Sequence, residues 1–236
     1  MCSEIDNVKM SLEKIESIYS AKNNPAIKSL FSILNTFPVI GELIDTSTEY
    51  ILLDFQKKKQ EKLLEVITLN NNFITTENVN NIEFIMSFIK IMEAVNKLTS
   101  NDKIKFYGNL LKNSFLCEYK IDDNSFEDNL QALNSLTYND IIVLESLNSN
   151  YVEIPQDIGN QPEEFKNSIN TTLNKISLQI KKPTDWIIAI LDKLCGTGMC
   201  TRTIYQSFTF GLSETDTHYQ ISPLYSNLRK FILDAN

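Results

Sequence analysis

Residues 184–233 read TDWIIAILDKLCGTGMCTRTIYQSFTFGLSETDTHYQISPLYSNLRKFIL. The first part of this stretch predicts a helix, capped by Thr184 or Asp185, because its apolar residues recur at helical spacing. Glycines in the run 195–198 predict the end of this helix, since glycine adopts the left-handed backbone of a helix cap without strain. The predicted core face of the helix consists of Ile187, Ile190, Leu191 and Leu194.

The second part of the stretch predicts a β-hairpin and a closing helix. Residues 201–210 are rich in threonine and aromatic residues, and we predict that they pair with a strand over 217–221 across a turn at 211–216. Ser222-Pro223 then opens a helix over 224–233, because proline at the first helical position gives up no backbone hydrogen bond. The predicted inward residues of this helix are Leu224, Leu228, Phe231 and Ile232.

Two further helices are predicted upstream of this stretch. Thr137 can cap the first, a proline-bearing loop over 151–162 leads into the second, and Lys181-Lys182-Pro183 makes the turn that follows. The resulting order is helix, helix, turn, helix, two strands and closing helix. This order resembles that of a winged-helix domain, and we interpret residues 137–236 as such a module. The apolar residues of the two helices are Ile141, Leu144, Leu147, Phe165, Ile169, Leu173 and Ile176.

Residues 1–136 predict a helical bundle. The segment 82–98 is apolar nearly all round and is predicted to be the central buried helix. A helix capped by Thr99 or Ser100 and a short helix over 125–136 follow it. A narrow apolar stripe near the N-terminus is typical of helix–helix docking, so a homo-oligomer is expected. The fold class is therefore mostly α, with a helical bundle preceding the winged-helix-like module. The stripe consists of Ile5, Val8, Leu12, Ile15 and Tyr19.

Composition argues against several functional classes. The 236 residues carry a net charge of −8, so the chain lacks the basic surplus with which proteins hold nucleic acid. Charged residues among the first twenty predict no secretory leader, and the cysteines form no CxxC pair, so reduced thiols in a cytoplasmic protein are expected. With His218 as the single histidine and no phosphate-binding glycine run, we expect no metal, no cofactor and no enzymatic activity. The cysteines are Cys2, Cys117, Cys195 and Cys200.

The outward face of the helix that begins near residue 184 is unsuited to DNA. Carboxylates, an isoleucine and a tryptophan there fit a protein partner better than a polyanion. Residues 137–236 contain 8 basic and 11 acidic residues, a net of −3. A transcription regulator remains the alternative. The candidate partner-binding residues are Asp185, Trp186, Ile188, Ala189 and Asp192, and the candidate nucleic-acid contacts are Lys181, Lys182, Lys193 and Arg202.

The stretch Ile27–Phe55 is the most hydrophobic in the chain. Four acidic residues interrupt it, and each charge at mid-bilayer costs about 2.5–3.5 kcal/mol on insertion scales, so no transmembrane segment is predicted. Peripheral membrane association through this stretch is a third hypothesis. The lysines at 57–59 are interpreted as a solvated helix face that pairs with Glu61 and Glu65.

The middle of the chain resembles a bacterial family. The stretches SNDKIKFYGNLLKNSF (100–115) and FEDNLQALNSLTYNDIIVLESL (126–147) are similar to sequences grouped as abortive-infection alpha, which genomic context ties to phage defence. FPVIGELID (37–45) also resembles an element of such proteins. The resemblance implies a helical bacterial or prophage protein, and it carries over no catalytic residue. A non-enzymatic interaction protein acting through protein contacts is therefore the leading hypothesis.

Overall fold

The computed structural model describes residue 25 and residues 46–68, 75–116, 123–150, 162–209 and 212–233. These residues are mostly helical, and the described part of the chain also contains a two-stranded antiparallel sheet. The predicted stripe at 5–19, the turn at 36–41 and the loop over 151–162, except Pro162, lie outside the described residues. The chain divides into two compact units, 1–134 with 230–236 and 135–229.

Helices in the first unit follow one another with short connections. They are α1 (Thr46–Thr68), α2 (Thr76–Asn80), α3 (Ile82–Asn96), α4 (Ile104–Leu116) and α5 (Asp123–Ser135). The second unit has α6 (Tyr138–Ser149), α7 (Pro162–Ile180), α8 (Thr184–Gly196), β1 (Cys200–Thr209), β2 (Leu212–Ile221) and α9 (Pro223–Ile232).

Helix α3 supplies much of the core of the first unit, but from one face. The Phe84 ring meets Phe115 edge-on at 5.3 Å between centroids and stacks on Phe88 at 6.4 Å. On the opposite face, Ile82 is 67% exposed and Met86 is 48% exposed. The prediction of a helix here is confirmed, whereas burial all round is wrong because neighbouring helices cover one side alone. Its buried residues are Phe84, Phe88, Ile91, Met92, Ala94 and Val95.

Helices α1 and α4 approach each other closely at Gly108. A Cβ atom at that position would lie 2.5 Å from Val66 Cγ1 and 3.0 Å from Val66 Cβ. Rotation of the Val66 side chain would move Cγ1 but not Cβ, so a methyl group at Gly108 requires the helices to separate. Glycine is therefore needed in α4 although it costs about 1 kcal/mol in helix propensity relative to alanine.

Lys59 is buried within the lysine run at 57–59, and this corrects the prediction of a solvated face. Its side chain is 2% exposed, and its Nζ donates to the carbonyl of Asn96 at 3.1 Å and to that of Leu98. These carbonyls lie at the C-terminal end of α3, where helical partners are missing and a cation is favoured. Burial lowers the pKa of the Lys59 amine.

The neighbouring lysines of this run are exposed. Lys58 pairs with Asp54 at 2.6 Å, one turn earlier on α1, a partner that the prediction of pairing with Glu61 and Glu65 did not include. A pattern of three consecutive lysines cannot show which of them points inward, since that depends on the helix packed alongside.

The hairpin is longer than predicted. Register runs from Cys200 opposite Ile221 to Thr209 opposite Leu212, so two residues join strands of ten residues each. The predicted turn at 211–216 is wrong from Leu212 onward. Serine, glutamate and aspartate there are weak strand formers, but pairing with β1 supplies their backbone partners and outweighs that preference.

Helix α9 begins at Pro223 as predicted, and of its predicted inward residues Leu228 and Ile232 are buried and Phe231 is partly buried. Tyr225 and Leu228 are buried, whereas Leu224, predicted to face inward, is 48% exposed. The Tyr225 backbone N–H donates to Ser222 Oγ at 3.1 Å, so Ser222 caps the helix. The predicted face counted only aliphatic residues and phenylalanine, and therefore passed over a buried tyrosine.

We expect Gly108→Ala to destabilise the protein by about 1–2 kcal/mol, because overpacking outweighs the gain in helix propensity. Gly196→Ala is the matched control, since a Cβ there meets nothing within 4 Å, and it is expected to be neutral or stabilising. Chemical denaturation of both variants measures the difference. Equal stabilisation by the two substitutions would contradict the close helix approach.

We expect Lys59→Met to lower the free energy of unfolding by about 1–3 kcal/mol, because two carbonyls at the end of α3 lose a charged donor while the aliphatic stem is kept. Lys58→Met is the control, and its unfolding midpoint is expected to stay close to that of the parent because its partner is a solvent-exposed carboxylate. If both variants unfold at the same denaturant concentration, Lys59 does not cap α3.

Candidate interaction surface

Helix α8 carries all five predicted partner-binding residues. Asp185, Ala189 and Asp192 are exposed along it, and Trp186 and Ile188 are partly exposed. The opposite face is buried through Ile187, Leu191 and Leu194, as predicted, while Ile190 is only partly buried. The five residues therefore form one solvent-accessible strip, which we call the α8 strip (Asp185, Trp186, Ile188, Ala189 and Asp192).

The two ends of α8 are built differently. Pro183 is its N-cap residue and makes no side-chain capping bond, so the predicted cap by Thr184 or Asp185 is wrong. At the other end, Gly198 has the predicted left-handed backbone, with φ of 77°. There the Gly198 N–H donates to the Cys195 carbonyl and the Met199 N–H to the Leu194 carbonyl, which satisfies the last turn.

Asp192 binds two residues of the hairpin. Its Oδ1 accepts a hydrogen bond from Arg202 Nη1 at 3.0 Å and another from the Tyr219 hydroxyl at 2.9 Å. Arg202 and Tyr219 are themselves opposite one another in the strand register. Burial and the bond to Asp192 raise the pKa of the Tyr219 hydroxyl, so it stays a neutral donor. Arg202, a candidate nucleic-acid contact, thus forms an ion pair with Asp192 inside the second unit.

Lys193 also forms an ion pair inside the second unit. Its Nζ lies 2.6 Å from both carboxylate oxygens of Asp140, a residue with no exposed surface. Asp140 also accepts from the Thr137 N–H at 2.7 Å, while the Asp140 N–H donates to Thr137 Oγ1. The predicted cap of α6 by Thr137 is confirmed and is a complete capping box. Lys193 therefore neutralises a buried carboxylate.

The other two candidate nucleic-acid contacts lie in the turn before α8. Lys181 is exposed and has a positive φ of 58°. Lys182 is exposed, and its Nζ lies 5.6 Å from the centroid of the Trp186 ring, which is cation–π distance. Two of the four candidate cations are consequently in ion pairs, and a third rests against the tryptophan of the α8 strip.

Comparison of the chain with protein-family models, with curated proteins and with solved structures found no match in any of the three. Within the described residues, no group of three or more histidine, cysteine or carboxylate side chains is placed to hold a metal ion. None of the helices described is both long and apolar enough to cross a bilayer.

The other arginine of the chain also has carboxylate partners. Arg229 Nε lies 2.9 Å and 3.1 Å from the two carboxylate oxygens of Glu145 on α6. The Tyr225 hydroxyl donates to the same Glu145 at 2.9 Å, and burial together with this carboxylate raises the pKa of Tyr225. Sequence reasoning missed this cluster because its residues are 80 or more positions apart. No local motif signals such a contact.

A cavity of about 550 Å³ lies in the first unit, lined by residues of α3, α4 and α5. Four of its polar side chains contact one another: Lys90 pairs with Glu127, and the Tyr107 hydroxyl donates to Asn134 at 2.8 Å. Burial raises the pKa of Tyr107 to about 12, so its hydroxyl is neutral at physiological pH. The sequence did not predict this cavity, because three helices without a shared motif form it.

His218 lies on β2, in the predicted hairpin. It is opposite Thr203 in the strand register and is partly buried. Burial lowers its pKa, which favours the neutral imidazole at physiological pH.

We expect Asp140→Asn to destabilise the protein by about 1–3 kcal/mol, because the charged partner of Lys193 is lost at a buried site and the capping box is weakened. Asp185→Asn, at an exposed position of the first turn of α8, is the control, and its effect is expected to stay within about 0.5 kcal/mol. Thermal and chemical unfolding measure both. A loss in Asp185→Asn as large as that in Asp140→Asn would show that Asp140 has no special role.

Proposed function

We propose that the second unit is a winged-helix-like module that binds a protein partner through the α8 strip, and that the protein acts by such contacts and not by catalysis. The order of elements from α6 to α9 supports the module, since three helices, a two-stranded hairpin and a closing helix follow one another. In DNA-binding modules of this order, the helix in the place of α8 contacts base edges, and we propose that α8 contacts a protein instead.

The observation that carries the proposal is the composition of the α8 strip. Asp185 is an exposed carboxylate that repels a phosphate backbone, and the exposed Asp192 carboxylate is already paired with Arg202. Trp186 is a partly exposed aromatic residue, of the type that is enriched where proteins meet. The strip therefore suits a partner that offers an apolar pocket flanked by lysine or arginine side chains.

Engagement of the nearby cations supports the same partner class. Lys193 and Arg202 are each about half exposed, but their charges are already paired with Asp140 and Asp192, which weakens their attraction for phosphate. If Lys193 moved away to bind phosphate, the fully buried carboxylate of Asp140 would keep an uncompensated negative charge. A DNA-binding regulator, the alternative function, would have to offset that cost with lysines of the 181–182 turn.

The resemblance of residues 100–115 and 126–147 to abortive-infection alpha proteins supports a bacterial phage-defence setting for this interaction. That setting defines where the partner is to be sought: proteins present during phage infection and other copies of this chain. Oligomer formation through the N-terminal stripe at 5–19 and membrane contact through Ile27–Phe55 remain proposals, since the first segment and most of the second lie outside the described residues.

A photo-crosslinking side chain at Ala189 is expected to give a specific adduct, whereas the same group at Asn174, exposed on α7, is not. With the crosslinked partner purified, Trp186→Ala is expected to raise Kd at least tenfold, a loss of about 1.4 kcal/mol or more that is typical of a buried aromatic anchor. Unchanged affinity in this variant would rule out the α8 strip as the binding surface.

A gel shift on a pool of random DNA duplexes distinguishes the proposed protein-binding function from the alternative of a DNA-binding regulator. If the proposal is correct, no salt-sensitive DNA complex forms. Phosphate-dominated binding would be recognised by its steep loss between about 50 and 200 mM salt. A complex with that salt dependence, abolished when Lys181 and Lys182 are both changed to glutamate, would instead establish a DNA-binding protein.

A further inference from the structure

Two thiols meet at the junction between α8 and β1. Cys195 Sγ, in the last turn of α8, lies 3.0 Å from Cys200 Sγ, on the first residue of β1. A disulfide bond is about 2.04 Å long, so closure requires a movement of roughly 1 Å. The two cysteines are free, and the turn between them contains Gly198 with its left-handed backbone.

We propose that Cys195 and Cys200 are a redox-active pair, which closes to an intramolecular disulfide when the protein meets a hydroperoxide or a small-molecule disulfide. This modification site does not rest on the proposed function of the α8 strip. The proximity of the two sulfur atoms carries it, since a second thiol held this close intercepts the oxidised first thiol before another molecule does.

The chemistry balances in two steps. With hydrogen peroxide, the Cys195 thiolate attacks one peroxide oxygen, the O–O bond breaks, and a sulfenic acid and one water molecule form. Cys200 sulfur then attacks the sulfenic sulfur, the S–O bond breaks, and a second water molecule leaves with the thiol proton. Two thiols are oxidised to one disulfide and one peroxide is reduced to two water molecules.

The surroundings of the two thiols assign their roles. Cys195 is partly exposed, whereas Cys200 is buried and its Sγ donates to the Leu191 carbonyl at 3.3 Å. Burial, together with the neighbouring Cys195, raises the pKa of Cys200, so its thiolate is scarce. A dissolved oxidant therefore reaches Cys195 first, and Cys200 acts as the resolving thiol.

The same surroundings affect the rate at which Cys195 is oxidised. Cys195 lies at the C-terminal end of α8, away from the helix N-terminus, and the Asp192 carboxylate is one turn away. Oxidation is therefore expected to be slower than at cysteines beside a helix N-terminus or a cation. Because burial disfavours the thiolate of Cys200, the disulfide, once formed, is expected to resist reduction.

Closure would add a covalent link at a junction that already has polar contacts. Asp192, three residues before Cys195, binds Arg202, two residues after Cys200. The disulfide would fix the last turn of α8 against β1 beside this pair. Oxidation is therefore expected to raise the thermal midpoint of the protein, and this shift should be absent when either cysteine is replaced.

Mass spectrometry provides the direct test on the full chain. Trypsin cleaves after Lys193 and Arg202 and releases LCGTGMCTR, which contains both cysteines of the pair, while Cys2 and Cys117 fall in other peptides. After treatment with hydrogen peroxide or stepped ratios of oxidised to reduced glutathione, this peptide should lose two hydrogen atoms and resist alkylation. A dithiol that stays alkylatable at ratios that oxidise Cys117 would overturn the proposal.

Two single variants test the assigned roles. In Cys200→Ser, the sulfenic acid or glutathione adduct on Cys195 should accumulate, because the resolving thiol is gone. In Cys195→Ser, the buried Cys200 should gain such an adduct at least tenfold more slowly. Equal rates in the two variants would contradict the order of attack, and disulfides from Cys195 mainly to Cys2 or Cys117 would contradict the pair itself.

Discussion

The carboxylate of Asp140 is fully buried, and it is satisfied from two directions. On one side it completes the capping box that starts α6, and on the other it accepts both bonds from Lys193 near the end of α8. A buried charge without these partners would be strongly destabilising, so α6 and α8 must stay in this arrangement. Together with the buried face of Ile187, Leu191 and Leu194, this acidic group fixes the position of α8 and of the solvent-accessible strip.

This constraint decides how the charges of the second unit are used. Lys193 is bound to Asp140, Arg202 to Asp192 and Arg229 to Glu145. Each cation pairs with a carboxylate on a neighbouring element, while its side chain stays 41–49% exposed. The proposed protein partner rests in part on this arrangement, since these three cations already have carboxylate partners and the unit is acidic overall.

Much of the fold was predictable from the sequence, because the elements concerned have local causes. Thr137 followed by Asp140, the proline at 223 and the glycine at 198 each fix a helix end through backbone chemistry that a few residues specify. Which lysine points inward at 57–59, and which residue of α9 is buried, depends on the element packed alongside. Such information lies tens of residues away, and a local pattern cannot contain it.

The candidate interaction surface likewise combines residues that the sequence predicts with long-range contacts that it does not. The five residues of the α8 strip were predicted from helical periodicity, whereas the ion pairs that engage Lys193 and Arg202 join residues 53 and 10 positions apart and were not. These pairs, with the Cys195–Cys200 contact, hold the C-terminal half of α8 against neighbouring elements.

The first turn of α8 has no side-chain cap and presents Asp185 and Trp186. A winged-helix reader of DNA would use that first turn to reach base edges. Here it offers a carboxylate and an indole, so the end of α8 left available for a partner is also the end least suited to DNA.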